Sequence, residues 1–125
     1  MELEQRFAPT PEGARAARHF VEAALGDVDP EVCHTVVLLT SELATNAVLH
    51  ARTDFEVTVA RREDALRIAV TDGNTRLPQP GMAPADATTG RGLALVDAMA
   101  SAWGADRHGR GKTVWFEVRA LSGPA

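Results

Sequence analysis

The sequence predicts an α+β fold, a two-layer α/β sandwich whose mixed, mostly antiparallel sheet is covered on one face by helices. Two observations lead to this prediction. Helical patterns stand before and after the strand patterns, an arrangement typical of α+β proteins and not of doubly wound parallel sheets. The strand patterns also alternate apolar with polar residues, which indicates a sheet with one covered face and one wetter face. A dinucleotide-binding Rossmann architecture is therefore disfavoured.

The composition indicates one domain spanning residues 1–125. Hydrophobic residues make up 45% of the chain and charged residues 24%, and the net charge is −4. A negative balance without a basic cluster argues against direct nucleic-acid binding. The first seven residues lack a signal-peptide pattern, and no run approaches 18 apolar residues, so we expect a cytoplasmic protein that has no membrane contact. Cys33 cannot form an internal disulfide, because it is the single cysteine, and its neighbours Val32, Val36 and Val37 indicate a buried structural thiol.

Three elements are predicted in the first half of the chain. Residues 2–7 alternate enough for a short edge strand. A helix begins at Thr10-Pro11, a capping residue followed by a proline at the first helical position, and ends near Gly26. A second helix begins with the segment 29–31, which supplies a cap, a proline and a first-turn acid. This helix is expected to continue to about His50.

A hairpin, a loop, a helix and a last strand are predicted in the second half. The runs 55–60 and 66–72 alternate on either side of a charged turn and indicate a hairpin. Prolines and glycines mark residues 73–89 as one long loop. Residues 92–103 have apolar positions at helical spacing, with a glycine placed to end the helix. Residues 113–119 are expected to form the final strand.

Glu42, Asn46 and His50 follow one another at four-residue intervals on the second helix. At about 100° per residue, His50 falls in the middle of the apolar sector, Asn46 near it and Glu42 on its border. An unpaired buried amide costs roughly 1 to 3 kcal/mol, so these groups need partners. They either cap nearby backbone, with Glu42 half exposed, or bind Mg²⁺ and phosphate, for which their oxygens are suitable ligands.

Two further segments are candidates for ligand contacts. Asp72 has the inward parity of its strand, so its carboxylate can accept from the amino group of a purine, with Gly73 allowing close approach. The alternative is an aspartate that closes an Asp-Gly-Asn turn. Residues 89–92, T-G-R-G, stand directly before the third predicted helix, whose N-terminus can hold a phosphate. The alternative there is a flexible hinge.

The segment 109–113, G-R-G-K-T, is not a Walker A loop. That motif needs glycine where Asp106 stands, and Lys112 leads into a strand instead of a helix. The segment is therefore predicted to be a strand-entry turn. Trp115 shares the parity of Thr113 and lies on the less covered face of the sheet, where it either meets a partner protein or covers the sheet.

The motifs occur in a specific order: E-L-x-x-N-A on a helix, D-G-N after a strand, G-R-G-L opening a helix and G-K-T-V-W-F on the last strand. This order resembles the GHKL ATPase superfamily, most closely its small anti-sigma factor serine/threonine kinases and their ATP-binding relatives. The match extends from about Val32 to Val118. The resemblance implies a homodimer that binds ATP or ADP with Mg²⁺, phosphorylates a serine of a STAS-type anti-anti-sigma antagonist and sequesters a sigma factor.

The resemblance also implies roles for individual residues. Glu42 would be the general base that activates the acceptor hydroxyl. Asn46 would coordinate the Mg²⁺ that bridges the phosphates. Asp72 would accept from the adenine amino group, and the segment 75–89 would act as a lid. The other residues implied to bind ATP are His50, Gly73, Asn74, Gly90, Arg91, Gly92, Leu93 and Thr113.

Two departures from the family pattern leave a second interpretation open. Asn74 stands at the second glycine of the usual D-x-G, and Lys112 stands where the last-strand threonine is usual. Thr113 follows one place later, with opposite parity. The alternative is a non-catalytic, nucleotide-gated protein-binding module. A sensor histidine kinase is less favoured, because the sequence has no separate dimerisation helix pair with a phospho-accepting histidine.

Overall fold

A five-stranded antiparallel sheet forms the centre of the computed structural model, which describes residues 2–62, 64–75 and 87–119. The strand order is β1-β2-β3-β5-β4, and every pairing is antiparallel, so the sheet is not mixed. The strands are β1 Glu2–Phe7, β2 Phe55–Arg62, β3 Ala65–Asp72, β4 Ala102–His108 and β5 Gly111–Arg119. The α+β prediction is confirmed, and so are the first edge strand and the β2–β3 hairpin.

Three α-helices accompany the sheet: α1 Pro11–Ala24, α2 Pro30–Asn46 and α3 Ala87–Met99. Thr10 caps α1, since its Oγ1 accepts from the Gly13 N–H at 3.0 Å. Asp29 caps α2, since its Oδ1 accepts from the Glu31 N–H at 2.8 Å. The predicted starts of both helices are confirmed, because a capping side chain satisfies a backbone donor that has no partner within the helix.

One face of the sheet, called the inner face below, is buried under the helices. Alternate residues of β2, β3 and β5 are buried there, while the residues between them remain half-exposed on the outer face. The helix α2 contributes Val36, Leu39 and Leu43 to the same apolar core. The inner-face members of that core are Phe55, Val57, Val59, Leu66, Ile68, Val70, Val114, Phe116 and Val118.

The segment Pro30–Ala51, which is α2 with a wide turn after it, is long and apolar enough by length and composition to cross a membrane, with a mean hydropathy of 1.4. Its apolar side is used in the core, where Val36 and Leu39 are fully buried. The buried Thr40 hydroxyl donates to the Val36 carbonyl oxygen at 2.7 Å and so is satisfied within the helix. Packing against the sheet therefore accounts for the apolar character of this helix.

The region after the long loop differs from the sequence prediction. The helix predicted over 92–103 is α3, Ala87–Met99, and residues 102–108 form the unpredicted strand β4. β4 is an edge strand of mostly exposed residues with few strand formers, so its pairing with β5 decides its conformation. Gly104 allows this pairing, since a Cβ there would lie 2.8 Å from the Trp115 indole. The predicted strand-entry turn is confirmed, and it lies between β4 and β5.

Cys33 is half-buried against the core instead of fully buried. Burial raises the pKa of its thiol, and the nearby Glu22 carboxylate raises it further. Because the thiolate is the reactive form, Cys33 is expected to be a structural and poorly nucleophilic residue.

Leu39→Ala is expected to lower the free energy of unfolding by about 2 to 5 kcal/mol, because it leaves a cavity at a fully buried core position. Leu49→Ala is the matched control on the same segment, since Leu49 is 43% exposed and should change stability by less than about 0.5 kcal/mol. Urea unfolding measures both. Equal effects of the two substitutions would contradict the packing of α2 described above.

Candidate functional site

Glu42 and Asn46 lie one turn apart on α2, and Asn46 is its last residue. Both side chains are half-buried, and α2 packs against β3 and β5. Within the part of the chain that the structure describes, neither side chain forms a hydrogen bond or an ion pair. A carboxylate and a carboxamide are therefore held at the border of the core with their polar atoms available to a ligand.

His50 is exposed, and the prediction that it faces the core is wrong. The reason is a π-helical turn at Ala47–Ala51, in which the Arg52 N–H donates to the Ala47 carbonyl oxygen at 3.0 Å. This five-residue spacing is wider than the α-helical one, so positions after Asn46 no longer follow the α-helical projection. Arg52 ends the turn in the left-handed region with φ 57°.

Asp72 is buried at the end of β3, and the predicted inward direction of its carboxylate is confirmed. Its partners are supplied by the protein itself. Lys112 Nζ donates to Oδ1 at 3.0 Å and lies 3.0 Å from Oδ2. The Asn74 N–H donates to Oδ1 at 2.8 Å. The side chain of Asp72 is 5% exposed and that of Lys112 is 10% exposed, so this is a buried ion pair.

The pairing of Lys112 with Asp72 was not predicted from the sequence. The two residues are opposite each other in the β3–β5 register, and Lys112 shares the inward parity of Val114. That shared parity at adjacent strand ends is the signal that could have identified the pair. Lys112 Nζ also donates to the Asn74 carbonyl oxygen at 3.1 Å, which connects the turn after β3 to the start of β5. Gly111 permits this approach, since a Cβ there would collide with the Asp72 carbonyl oxygen.

Thr113 lies on the outer face of the sheet, so its side chain does not share a face with Asp72. Its Oγ1 is 2.8 Å from the Thr71 Oγ1 and 2.7 Å from the His108 Nε2. The position that faces Asp72 is instead filled by Lys112. The implied role of Thr113 in ATP binding stays a prediction, and the structure places its hydroxyl in an outer-face hydrogen-bond network.

Gly73 approaches a side chain of the protein closely. Its N–H donates to the Thr53 Oγ1 at 2.8 Å, and a Cβ at this position would lie 3.2 Å from the Thr53 side chain. A cleft of about 420 Å³ opens beside it. Its lining residues are Arg6, Thr53, Asp54, Phe55, Glu56, Thr71, Asp72 and Gly73. The cleft thus borders Asp72 but is not lined by Glu42 or Asn46.

The G-R-G-L segment lies inside α3 and not before it. Because α3 begins at Ala87, Gly90, Arg91 and Gly92 belong to its first turns, where the backbone is committed to helical hydrogen bonds. The prediction that this segment stands before the helix is therefore wrong, and the implied contact of these residues with phosphate stays a prediction. Leu93 is buried in the core at 3% exposure. Of the predicted lid, residues 76–86 lie outside the described part of the chain.

Among the described residues, the side chains suit a cation that enters together with a phosphate ligand. They do not form a site that could hold a metal ion through protein groups alone. Across residues 2–62, 64–75 and 87–119, no three His, Cys, Asp or Glu side chains converge to hold a metal ion. Mg²⁺ commonly keeps several waters and is bound through one or two protein oxygens plus substrate phosphates. The carboxamide oxygen of Asn46 fits this mode, since it is half-buried and has no described partner.

Residues 7–118 match the family model of the histidine kinase-like ATPase domain. The crystal structure of the RsbU and RsbW domains of Rv1364c from Mycobacterium tuberculosis superposes with a TM-score of 0.76 at 22% identity, covering 100% of this chain and 34% of that one. The histidine kinase domain of the blue-light activated histidine kinase EL346 from Erythrobacter litoralis gives 0.57 at 19% identity, covering 87% and 60%. These likenesses show a shared fold. No curated protein sequence matches the chain.

Lys112→Met is expected to lower the free energy of unfolding by about 3 to 5 kcal/mol, because it leaves the buried Asp72 carboxylate without its cation. The double variant Asp72→Asn/Lys112→Met should lose less than Lys112→Met alone, since no buried charge then remains. Urea unfolding of the single and double variants measures the difference. A double variant less stable than Lys112→Met would contradict the account of a buried, mutually dependent pair.

Proposed function

The chain belongs to the histidine kinase-like ATPase domain family, which implies ATP binding, and from this premise we propose that it is an anti-sigma factor with serine/threonine protein kinase activity. Its protein substrate is an anti-anti-sigma antagonist of the STAS type. Its other protein partner is a sigma factor, which it sequesters while the antagonist is phosphorylated. In this proposal the protein works in the cytoplasm and uses Mg²⁺.

One observation carries the proposal: Glu42 and Asn46 stand on consecutive turns of α2, half-buried and without a described protein partner. Half-buried polar side chains without a described protein partner keep their polar atoms free to bind a ligand in exchange for water. Asn46 would hold, through its carboxamide oxygen, a cation that arrives with the phosphates, and Glu42 would accept from the hydroxyl nucleophile. The order of the motifs around these residues matches that of the anti-sigma factor kinases which the sequence resembles.

The proposed reaction is transfer of the γ-phosphoryl group of ATP to a serine hydroxyl. The bond between the γ-phosphorus and the β–γ bridging oxygen breaks, a bond from the serine Oγ to that phosphorus forms, and ADP leaves. Glu42 accepts the serine proton as general base, and Asn46 would hold the Mg²⁺ that accompanies the phosphates. Mg²⁺, when bound, neutralises charge that develops on the phosphate oxygens.

The proposed partners follow from the resemblance and agree with the RsbW-containing neighbour in fold. This chain spans about a third of that neighbour, whose description also names an RsbU domain. A partner-switching protein of this kind needs a surface that binds the sigma factor. We also propose that it acts as a homodimer. The proposed assembly consists of protein–protein contacts and involves neither nucleic acid nor a membrane.

The buried ion pair of Asp72 favours a second candidate, a non-catalytic module that binds a nucleotide and changes its affinity for a partner protein. Asp72 is the implied acceptor for the adenine amino group, and Lys112 already occupies much of its capacity. Such a module retains nucleotide binding and lacks phosphoryl transfer. The two candidates therefore separate in one measurement of transfer to the antagonist serine.

Glu42→Gln is expected to lower phosphoryl transfer to the antagonist by at least about 100-fold, because the amide cannot accept the serine proton. Binding of ATP, measured by isothermal titration, should change little. The assay incubates the protein with Mg²⁺, γ-labelled ATP and the antagonist, and follows the label on serine.

Glu31→Gln is the matched control for this experiment, since Glu31 is an exposed glutamate at the other end of α2. It should transfer phosphoryl groups at the wild-type rate. If Glu42→Gln labels the antagonist as fast as the control does, Glu42 is not the base. If the wild type binds ATP and labels no antagonist serine, the non-catalytic candidate replaces the kinase.

A further inference from the structure

Lys112 is the single lysine of a chain that carries twelve arginines. Its side chain is only 10% exposed and points to the inner face of the sheet, where the residues that follow it in alternation are apolar. Lysine is almost never fully buried unless it is paired. The one lysine therefore stands at a position where a charge is costly, opposite Asp72 in the strand register.

Nearly all hydrogen-bonding positions of the Lys112 ammonium and the Asp72 carboxylate are used within the protein. Lys112 Nζ has three protons, and its neighbours are the two Asp72 oxygens at 3.0 Å and the Asn74 carbonyl oxygen at 3.1 Å. The Asn74 N–H takes a second position on Oδ1 at 2.8 Å. A carboxylate offers about four acceptor positions, so one position on Oδ2 is left for a ligand. A ligand that reaches it meets the ammonium beside it.

The Lys112 ammonium beside the Asp72 carboxylate changes which purines can form hydrogen bonds with this site through the atoms at their 1 and 6 positions. A 6-aminopurine presents an amino donor beside an N1 acceptor, whereas a 6-oxopurine presents an O6 acceptor beside an N1–H donor. A carboxylate without a cation accepts from the first edge but places its negative charge against O6 of the second. An Asp–Lys pair can satisfy both edges. With a 6-aminopurine, the free position of the carboxylate accepts from the amino group. With a 6-oxopurine, the carboxylate accepts from N1–H, and Lys112 Nζ turns toward O6 the proton that otherwise bonds to the Asn74 carbonyl oxygen.

We propose that Lys112 is the base-specificity residue of this site, and that it makes the site accept 6-oxopurine nucleoside triphosphates as well as 6-aminopurine ones. The proposal rests on the proposed nucleotide-binding function and names its ligand class. The proposal depends on the lysine at this position, where the family pattern usually has a threonine. A threonine there would leave the Asp72 carboxylate without a cation. Selectivity between the amino and oxo groups is thus set by a side chain on β5.

The test compares ATP with inosine triphosphate, which carries O6 and N1–H in place of the amino group and N1. Isothermal titration at 10 °C with Mg²⁺ should give dissociation constants within about threefold of each other for the wild type. Lys112→Thr should favour ATP by about tenfold or more, because O6 is then left against a carboxylate. A wild type that already prefers ATP by the same factor as Lys112→Thr overturns the proposal.

Arg67→Met is the matched control, since Arg67 forms the cross-strand ion pair with Glu117 at 3.2 Å between the same two strands on the outer face. Its nucleotide selectivity should equal that of the wild type. If neither the wild type nor Lys112→Thr binds any nucleotide, the proposed function fails as well. If the wild type and Lys112→Thr both bind ATP and show the same selectivity, the role of Lys112 is excluded and the proposed function stands.

A second measurement needs no variant and therefore does not depend on whether Lys112→Thr folds. Protein labelled with ¹³C at lysine Cε gives one lysine resonance, because the chain has one lysine. That resonance should shift on saturation with ATP and shift differently with inosine triphosphate. Saturating binding of both nucleotides, shown by titration, with an unmoved lysine resonance would place the base away from Lys112 and overturn the proposal.

Discussion

The packing of α2 on the inner face of the sheet is the constraint on which the rest of the structure depends. Val36, Leu39 and Leu43 fix which side of this helix faces the core, and the neighbouring turns must then present Glu42 and Asn46 at its border. The same apolar contact brings the helix against β3 and β5, the two strands that carry Asp72 and Lys112. A single hydrophobic interface therefore positions both polar parts of the candidate site.

The ion pair of Asp72 with Lys112 lies at the end of this hydrophobic interface. The inner face is apolar along most of β3 and β5 and finishes in a charged pair, where each charge would be unfavourable without the other. The backbone also participates, since Asn74 contributes both its N–H and its carbonyl oxygen. The strand ends and the turn after β3 are consequently joined by one network. A ligand that took the remaining acceptor position on Asp72 Oδ2 would therefore lie directly against this network.

Local rules predicted much of the fold and less of the site. Capping chemistry located the starts of α1 and α2, and strand alternation located β2, β3 and the inward direction of Asp72. The strand β4 was missed because its conformation comes from pairing with β5 and not from its own residues. His50 was misplaced because a π-helical turn interrupts the regular projection of α2. Lys112 was missed as the partner of Asp72 because β3 and β5 are far apart in the sequence. Parity indicated that both side chains face inward, but it does not show that these two strands are neighbours in the sheet or which of their residues are opposite each other.

The single lysine of this chain, whose side chain is 10% exposed, also determines how the protein reacts with lysine-directed reagents. Any chemistry directed at lysine side chains, including enzymatic attachment of a peptide or protein tag, must reach Nζ while it is bound to Asp72 and Asn74. A reagent therefore has to break these bonds before the amine can react. Modification of this lysine should be slow in the native state, and its rate would report how often the bonds to Asp72 and Asn74 open.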